Sequence, residues 1–169
     1  METHWVEQFG KTYYYFKYME TLFIILNTED TPGSRFGEIN ADQLNWLKTT
    51  LKENASVKGT FIFLHRPMWA YKNNQDWQKV EEIIKDRSLI IFAGHQHKYS
   101  KTVKNKHTYY TLATTGGASQ LAGVDKGTFD HFAWVSMNDN QPTISNLILT
   151  GIWGDNPPEE SKIVTINKN

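Results

Sequence analysis

Two kinds of hydrophobic pattern alternate along this chain. Residues 58–64 (KGTFIFL) and 88–93 (SLIIFA) are apolar runs rich in β-branched and aromatic residues, which predict strands buried on both faces. Residues 40–53 and 76–85 instead place apolar side chains three and four positions apart, which predicts amphipathic helices. Because one predicted helix separates the two apolar strands, we expect these strands to lie parallel in one sheet.

Alternating apolar and polar residues on either side of short turns predict three β-hairpins. Their strands are residues 13–18 with 22–27, 98–103 with 107–113, and 131–138 with 143–149, the last pair joined around residues 140–142. The first helix is predicted to be capped by Asn40, with Gln43 completing a box-like start. The predicted fold class is therefore α/β with α+β character, consisting of a mixed sheet, two main helices and C-terminal antiparallel hairpins.

The pattern indicates one domain without internal linkers or repeats. Residues 1–154 contain all the predicted strands and helices. Residues 155–169 form a tail that is rich in proline and glutamate at its start, and we expect this tail to be loosely held.

Composition narrows the function classes only a little. The chain has 18 Lys and Arg against 18 Asp and Glu, which argues against a broad surface for nucleic acid or anionic membrane. It has no cysteine, so disulfides and thiolate sites are excluded. No apolar run approaches the roughly 20 residues that span a bilayer, and the residues after Met1 do not resemble a signal peptide, which leaves localisation open.

Three histidines follow the two apolar strands directly. His65 comes after residues 58–64, and the sequence Gly94-His95-Gln96-His97 comes after residues 88–93. Side chains two positions apart on an extended backbone point to the same side, so His95 and His97 are expected to point together. The carboxyl ends of parallel strands meet at one edge of a sheet, which would bring all three imidazoles to that edge. This grouping favours transition-metal binding over simple turn capping.

These segments resemble the calcineurin-like metallophosphoesterase family over most of the chain. Residues 61–67 (FIFLHRP) are similar to the family's strand that ends in a lone metal-binding histidine, and residues 91–97 (IFAGHQH) to its G-H-x-H signature. Further similar segments are residues 9–16, 22–28, 109–117 and 129–132.

Three other motifs of that family, D-x-H, G-D-x-x-D and G-N-H-[DE], do not occur in this sequence. In the family they supply the bridging aspartate, an asparagine ligand and the histidine that protonates the leaving group. The resemblance therefore implies the C-terminal half of a metal-dependent phosphoric-ester hydrolase, with weak or no metal binding and little turnover by this chain alone. It further implies a pair of divalent transition-metal ions (Mn, Fe, Zn or Ni) in the intact enzyme. His65 and His95 would ligate one ion and His97 the other.

Four more residues are candidates for a substrate rim. Glu29 and Asp30 follow a predicted strand at the same sheet edge, and Trp69 and Tyr71 come shortly after His65. Turn formation by the two acids and core packing by the two aromatic residues are the competing interpretations.

Two alternative functions remain open from the sequence. One is a non-catalytic interaction or dimerisation module derived from the same fold, and the other is a mononuclear zinc hydrolase built on the three histidines. A domain that lacks strands would expose sheet edges and apolar faces. We therefore expect self-association or contact with a missing N-terminal half, and a phosphate ester as the substrate of the intact enzyme.

Overall fold

A six-stranded mixed sheet forms the centre of the computed structural model, which describes residues 2–31, 33–156 and 163–165. The helices are α1 (Glu2–Phe9), α2 (Ala41–Glu53) and α3 (Gln75–Ile84). The strands are β1 (Tyr14–Tyr18), β2 (Thr21–Ile25), β3 (Gly59–Phe63), β4 (Leu89–Ala93), β5 (Ser100–Lys104), β6 (His107–Thr111), β7 (Phe132–Asn138), β8 (Gln141–Ile148), β9 (Gly151–Trp153) and β10 (Ile163–Thr165).

The strand order of the large sheet is β1-β2-β3-β4-β6-β5. The four central strands are parallel, and the two outer strands pair antiparallel with their neighbours. The predicted parallel pairing of β3 with β4 is confirmed, as are the first two hairpins. A second, antiparallel sheet has the order β10-β9-β8-β7. The predicted α/β class, with a mixed sheet and C-terminal antiparallel strands, is confirmed.

Both faces of the central strands are covered, which explains their continuous apolar sequences. On one face Ile62 and Ile91 pack against α2 and α3 in a first core cluster. On the other face Phe61 and Phe92 pack in a second cluster with Ile144 from the second sheet. Because neighbouring residues of a strand point to opposite faces, residues 61–63 of β3 and 89–93 of β4 are all apolar and fill both layers.

The helices largely follow the sequence pattern, with α1 as an addition. The predicted helices at residues 40–53 and 76–85 correspond to α2 and α3. The segment that becomes α1 was not predicted as a helix. Its apolar residues lie at helical spacing, and the rings of Trp5 and Phe9 pack 4.7 Å apart.

The cap of α2 is partly as predicted. The side chain of Asn40 accepts a hydrogen bond from the backbone amide of Gln43 at 2.9 Å. The box-like closure by Gln43 is wrong, because this buried side chain instead accepts from the amide of Asn27 and donates to its carbonyl oxygen. The backbone amide of Asn40 donates to the carboxylate of Asp30 at 3.1 Å, so an acid from another loop takes the place of the box.

The hairpin between β7 and β8 turns earlier than predicted. Asp139 and Asn140 have φ angles of 47° and 65°, as the first and second residues of a tight two-residue hairpin turn require. Strand β8 consequently begins at Gln141, and Pro142 lies within it opposite Met137.

The start of the predicted tail is held by hydrogen bonds. The carboxylate of Asp155 accepts from the Lys101 ammonium at 2.8 Å and from the Tyr110 hydroxyl at 2.5 Å. Strand β10 pairs with β9. Residues 157–162 and 166–169 of the tail lie outside the described residues. No helix among the described ranges is long and apolar enough to cross a membrane.

Candidate functional site

The parallel strands deliver His65 and His95 to one edge of the large sheet. His65 lies two residues after the end of β3, and His95 lies two residues after the end of β4. A backbone hydrogen bond of 3.0 Å from the amide of Gly94 to the carbonyl of His65 joins the two loops beyond the strands. The predicted meeting of histidines at this edge is therefore observed for these two residues.

The two imidazoles face each other through nitrogen atoms. Nε2 of His65 and Nδ1 of His95 are 3.0 Å apart, and the ring planes are nearly perpendicular. One of the two nitrogens must donate to the other, since two lone pairs at this distance would repel. The pair is exposed to solvent at His65 and half-buried at His95.

Arg66 binds the opposite side of His95. Its Nη1 lies 3.0 Å from Nε2 of His95 and donates to the carbonyl oxygen of Arg35 at 3.1 Å. Its Nε and Nη2 donate to the two carboxylate oxygens of Glu29 at 2.7 and 2.9 Å, a forked ion pair. The guanidinium is thereby fixed between an acid and an imidazole.

The charges of this cluster shift its pKa values. Burial alone would raise the pKa of Glu29, but the hydrogen bonds and positive charge of Arg66 outweigh it and lower that pKa below its usual value. Burial is the main cause that lowers the pKa of His95, and the positive charge of Arg66 acts in the same direction. The cluster is therefore built around a carboxylate, a guanidinium and a neutral imidazole.

The backbone that carries His95 and His97 differs from the prediction. Strand β4 ends at Ala93, and the two histidines have φ angles of 67° and 50°. The assumption of an extended backbone is wrong here, because both residues lie in the left-handed region, which costs a non-glycine residue roughly 1 kcal/mol. Strained backbone of this kind concentrates at functional sites.

His97 lies apart from the other two imidazoles and has its own partner. Its Nδ1 lies 2.5 Å from the carbonyl oxygen of Ala118, and because a carbonyl can only accept, Nδ1 carries the proton. Gly117 permits this approach, since a Cβ atom there would lie 3.2 Å from the His97 ring and 2.9 Å from the Thr114 hydroxyl. The arrangement leaves the lone pair of His97 on Nε2, and metal-binding histidines in proteins usually donate their other nitrogen in the same way.

The residues present fit part of a metal centre. Two nitrogens that each lie about 2.1 Å from one ion are roughly 3.0–3.4 Å apart, and the spacing of His65 Nε2 from His95 Nδ1 falls in that range. Within the described part of the chain, no three His, Cys, Asp or Glu side chains converge as a ligand set. The carboxylate of Glu29 is engaged by Arg66, so the pair of imidazoles offers two ligands and no negative charge.

The other candidate rim residues serve the loops and the core. The carboxylate of Asp30 accepts hydrogen bonds from Asn27, Asn40 and Gln43, which supports the turn interpretation. The ring of Trp69 packs on Trp77 and Tyr109 of the helix-side core. The ring of Tyr71 packs on Phe36 beside the loop that carries Arg35.

An open depression of about 660 Å³ adjoins His97. Its lining includes Lys98, Ser119, Lys126 and Thr128, which are groups that suit an anionic ligand.

Arg66 is the residue of the site that the sequence analysis missed. It stands between a candidate ligand and a proline, where a charged side chain has no role in the strand. That position was the available signal. Its partner Glu29 is 37 residues away in the chain, so the ion pair follows only from the parallel pairing of β2 with β3.

Another histidine has a purely structural environment. His131 is buried, its Nε2 accepts from the amide of Ala113 at 3.0 Å, and its Nδ1 lies 2.8 Å from Oδ1 of Asn146. Asn146 donates in turn to the carbonyl of Gly154 and to the hydroxyl of Tyr99. These bonds give His131 a structural role.

Comparison with known proteins gives likenesses of structure only. No protein-family model and no curated protein sequence matches the chain. Solved structures that resemble it include GAP50, the anchor in the inner membrane complex of Plasmodium, at 15% identity and a TM-score of 0.49, covering 92% of this chain and 54% of that one. A predicted phosphoesterase from Streptococcus pneumoniae matches at 12% identity and a TM-score of 0.34, covering 85% of this chain and 97% of that one. Vps29 from Entamoeba histolytica, solved in complex with Zn²⁺, matches at 11% identity and a TM-score of 0.36, covering 86% of this chain and 99% of that one.

With TM-scores below 0.5, these likenesses carry no conclusion about the reaction or the ligands of this chain. The chain spans about half the length of the Plasmodium protein. The chemistry of the candidate site rests on its own distances and charges.

Proposed function

We propose that this chain is the C-terminal portion of a metal-dependent phosphoric-ester hydrolase and is inactive or weakly active alone. The observation that carries the proposal is the approach of His65 Nε2 and His95 Nδ1 to 3.0 Å at the carboxyl ends of adjacent parallel strands. Two imidazoles presented in this way suit a divalent transition-metal ion.

The histidines have distinct tasks in this proposal. His65 and His95 hold one ion, and His97, whose Nδ1 is bound to the Ala118 carbonyl, offers Nε2 to a second. A divalent ion bound there supplies Lewis-acid stabilisation of the charge that develops on the phosphoryl oxygens. Two adjacent ions need a bridging carboxylate to offset their repulsion, and neither Glu29 nor Asp30 is placed as one, since both are engaged in hydrogen bonds. We propose that the bridging carboxylate comes from residues outside this chain.

The depression beside His97 supports an anionic substrate. Lys98 and Lys126 add positive charge to its lining, and Ser119 and Thr128 add hydroxyl donors. Such groups orient a phosphate ester without acting on the bond that breaks.

The first experiment measures metal content by mass spectrometry on the purified chain after dialysis against Mn²⁺ or Zn²⁺, with bis-p-nitrophenyl phosphate hydrolysis measured alongside. We expect substoichiometric metal that is lost in the double variant His65→Ala/His95→Ala and retained in His4→Ala, a matched control on α1. Equal metal content in the double variant and the control would contradict the proposal. Turnover by the isolated chain as fast as that of an intact phosphoesterase would contradict the proposal that the chain is inactive or weakly active alone.

A second candidate function is a non-catalytic interaction module, and the edge of the second sheet at β7, which no strand of the described residues covers, favours it. Strand β7 is the last strand of that sheet, and its exposed residues include Phe132, Trp134 and Met137. It carries no charged side chain, although exposed edge strands usually have one to prevent pairing with other chains.

We propose in both cases that further strands cover this edge, contributed by the missing N-terminal half or by a second copy of the chain. Light scattering should then show a dimer or larger assembly, and ANS should bind the chain. The variant Trp134→Lys, which places a charge on the edge, should shift the assembly toward monomer. A monodisperse wild-type monomer without ANS binding would contradict the proposal.

A further inference from the structure

The position of Arg66 determines which nitrogen of His95 carries the proton. A guanidinium is always protonated and has donors only. At 3.0 Å from Nη1, Nε2 of His95 must therefore accept, and a neutral His95 has its proton on Nδ1. That Nδ1–H then donates to Nε2 of His65, so the two contacts of His95 form one chain of hydrogen bonds with a single direction.

Metal binding requires the opposite arrangement at the same ring. An ion between His65 and His95 needs the lone pair of Nδ1, and a neutral imidazole that gives this lone pair to a metal carries its proton on Nε2. Nε2–H of His95 would then face an N–H of Arg66 across 3.0 Å. Two donors cannot share that contact, so one of them must move.

We infer that Arg66 and a divalent transition-metal ion are mutually exclusive partners of His95. Arg66 is a positioning residue that holds His95 in its Nδ1–H form, and an ion that binds His95 displaces the guanidinium from Nε2. The displacement of Arg66 by an ion rests on the proposed function. The assignment of the His95 proton to Nδ1 in the metal-free chain is independent of that function.

The ion pair with Glu29 sets how strongly Arg66 opposes the ion. Two hydrogen bonds of 2.7 and 2.9 Å hold the guanidinium to the carboxylate, and a third fixes it to the carbonyl of Arg35. Displacement from His95 must bend or break part of this set. Any interaction that favours the metal-free arrangement weakens metal binding by the same factor.

The first test is the protonation pattern of His95 in the metal-free chain, read from long-range ¹H–¹⁵N correlation spectra of the histidine rings. We expect the Nδ1–H form in the wild type and loss of this fixed form in Arg66→Met. His95 found as Nε2–H in the wild type, or a pattern that Arg66→Met leaves unchanged, overturns the inference.

The second test is the affinity for Zn²⁺ and Co²⁺, measured by calorimetry on the same proteins. Arg66→Met leaves Glu29 unpaired, and its negative charge would by itself attract a cation. The neutral double variant Arg66→Met/Glu29→Gln removes this effect. We expect both variants to bind roughly tenfold more tightly than the wild type. Arg35→Met removes a positive charge that lies over the Phe36 ring and leaves the contacts of His95 in place, so it measures the effect of charge alone and should tighten binding by far less than tenfold.

The outcomes separate the inference from the proposed function. Wild-type affinity in the double variant overturns the exclusion of Arg66 by metal even where metal binds. Absence of metal binding in every variant overturns the exclusion and the proposed ion site of His65 and His95, whereas the Nδ1–H form of His95 in the spectra would still support the positioning role of Arg66.

Discussion

His95 and His131 have the same arrangement of protons in two very different surroundings. In each ring a donor fixes Nε2 as an acceptor, the guanidinium of Arg66 for His95 and the backbone amide of Ala113 for His131. Each Nδ1 then donates, to Nε2 of His65 in the first case and to Oδ1 of Asn146 in the second.

The difference lies in whether the partners could exchange roles. A backbone amide only donates and an amide oxygen only accepts, so the surroundings of His131 permit one arrangement. The partner of His95 is a second imidazole, whose nitrogen can also hold a metal, and its donor belongs to a side chain, which rotation could withdraw from Nε2. A histidine is therefore a candidate metal ligand when its hydrogen-bond partner can itself bind a metal ion.

The largest effect should come from breaking the surroundings of His131. Asn146→Ala would leave Nδ1–H of the buried His131 without its acceptor and would remove the amide donor from the carbonyl of Gly154, while the hydroxyl of Tyr99 would still donate to the carbonyl of Asp155. Because unsatisfied buried groups each cost about 1–3 kcal/mol, we expect a loss of roughly 2–4 kcal/mol in the free energy of unfolding. Urea denaturation followed by tryptophan fluorescence measures this loss.

The matched control for that variant is Asn45→Ala, in an exposed position on α2. It should change the free energy of unfolding by no more than about 0.5 kcal/mol. A loss in Asn146→Ala as small as that of the control would show that water replaces the missing amide and that the network is not tightly closed.

The next largest effect should be the loss of unfolding free energy at acidic pH, to which His131 contributes. Burial is the main cause that lowers the pKa of His131 below its ordinary value, and protonation would also place an N–H against the amide of Ala113. The unfolded chain therefore binds a proton more readily than the folded one. The stability that this histidine contributes is present above the unfolded pKa of about 6.5 and is lost as pH falls below it.

The slope of this loss is at most about 1.4 kcal/mol per pH unit for one group. His107, whose pKa is also lowered mainly by burial, adds to it. The free energy of unfolding should thus decline as pH falls from 7.5 to 5. In His131→Gln it should start from a lower value and decline less steeply. His4→Gln, at an exposed position, should follow the wild-type curve, and a variant curve parallel to wild type would exclude His131 as the source.

Sequence patterns predicted the scaffold of both regions but only part of the site. Residues 58–64 and 88–93 were identifiable as strands because both faces are covered, which forces an unbroken apolar sequence. Their parallel pairing then followed from the helix between them, and with it the meeting of His65 with His95. The grouping of the histidines already favoured metal binding, and motif similarity added the expectation of phosphoric-ester hydrolysis.

The remaining features depend on contacts between distant loops. The ion pair of Glu29 with Arg66 spans 37 residues, and the tie between Asn27 and Gln43 spans 16, so no local pattern contains them. The left-handed backbone of His95 and His97 was equally hidden, since Gly94 suggested a simple turn and histidine has only a modest preference for this conformation.

The smallest expected effect concerns the backbone strain at His95. At a φ angle of 67°, His95 holds a conformation that glycine adopts without cost and that alanine does not. We expect His95→Gly to be more stable than His95→Ala by about 1 kcal/mol, a difference that cancels the loss of the side chain common to both variants. Thermal unfolding of the two proteins side by side measures it.

At Lys98, an exposed neighbour without a positive φ angle, the same pair of substitutions should give no such advantage to glycine. If alanine proved as stable as glycine at position 95, the backbone there would relax once the imidazole is removed, and the left-handed conformation would be a consequence of the His65 and Arg66 contacts instead of a property of the loop.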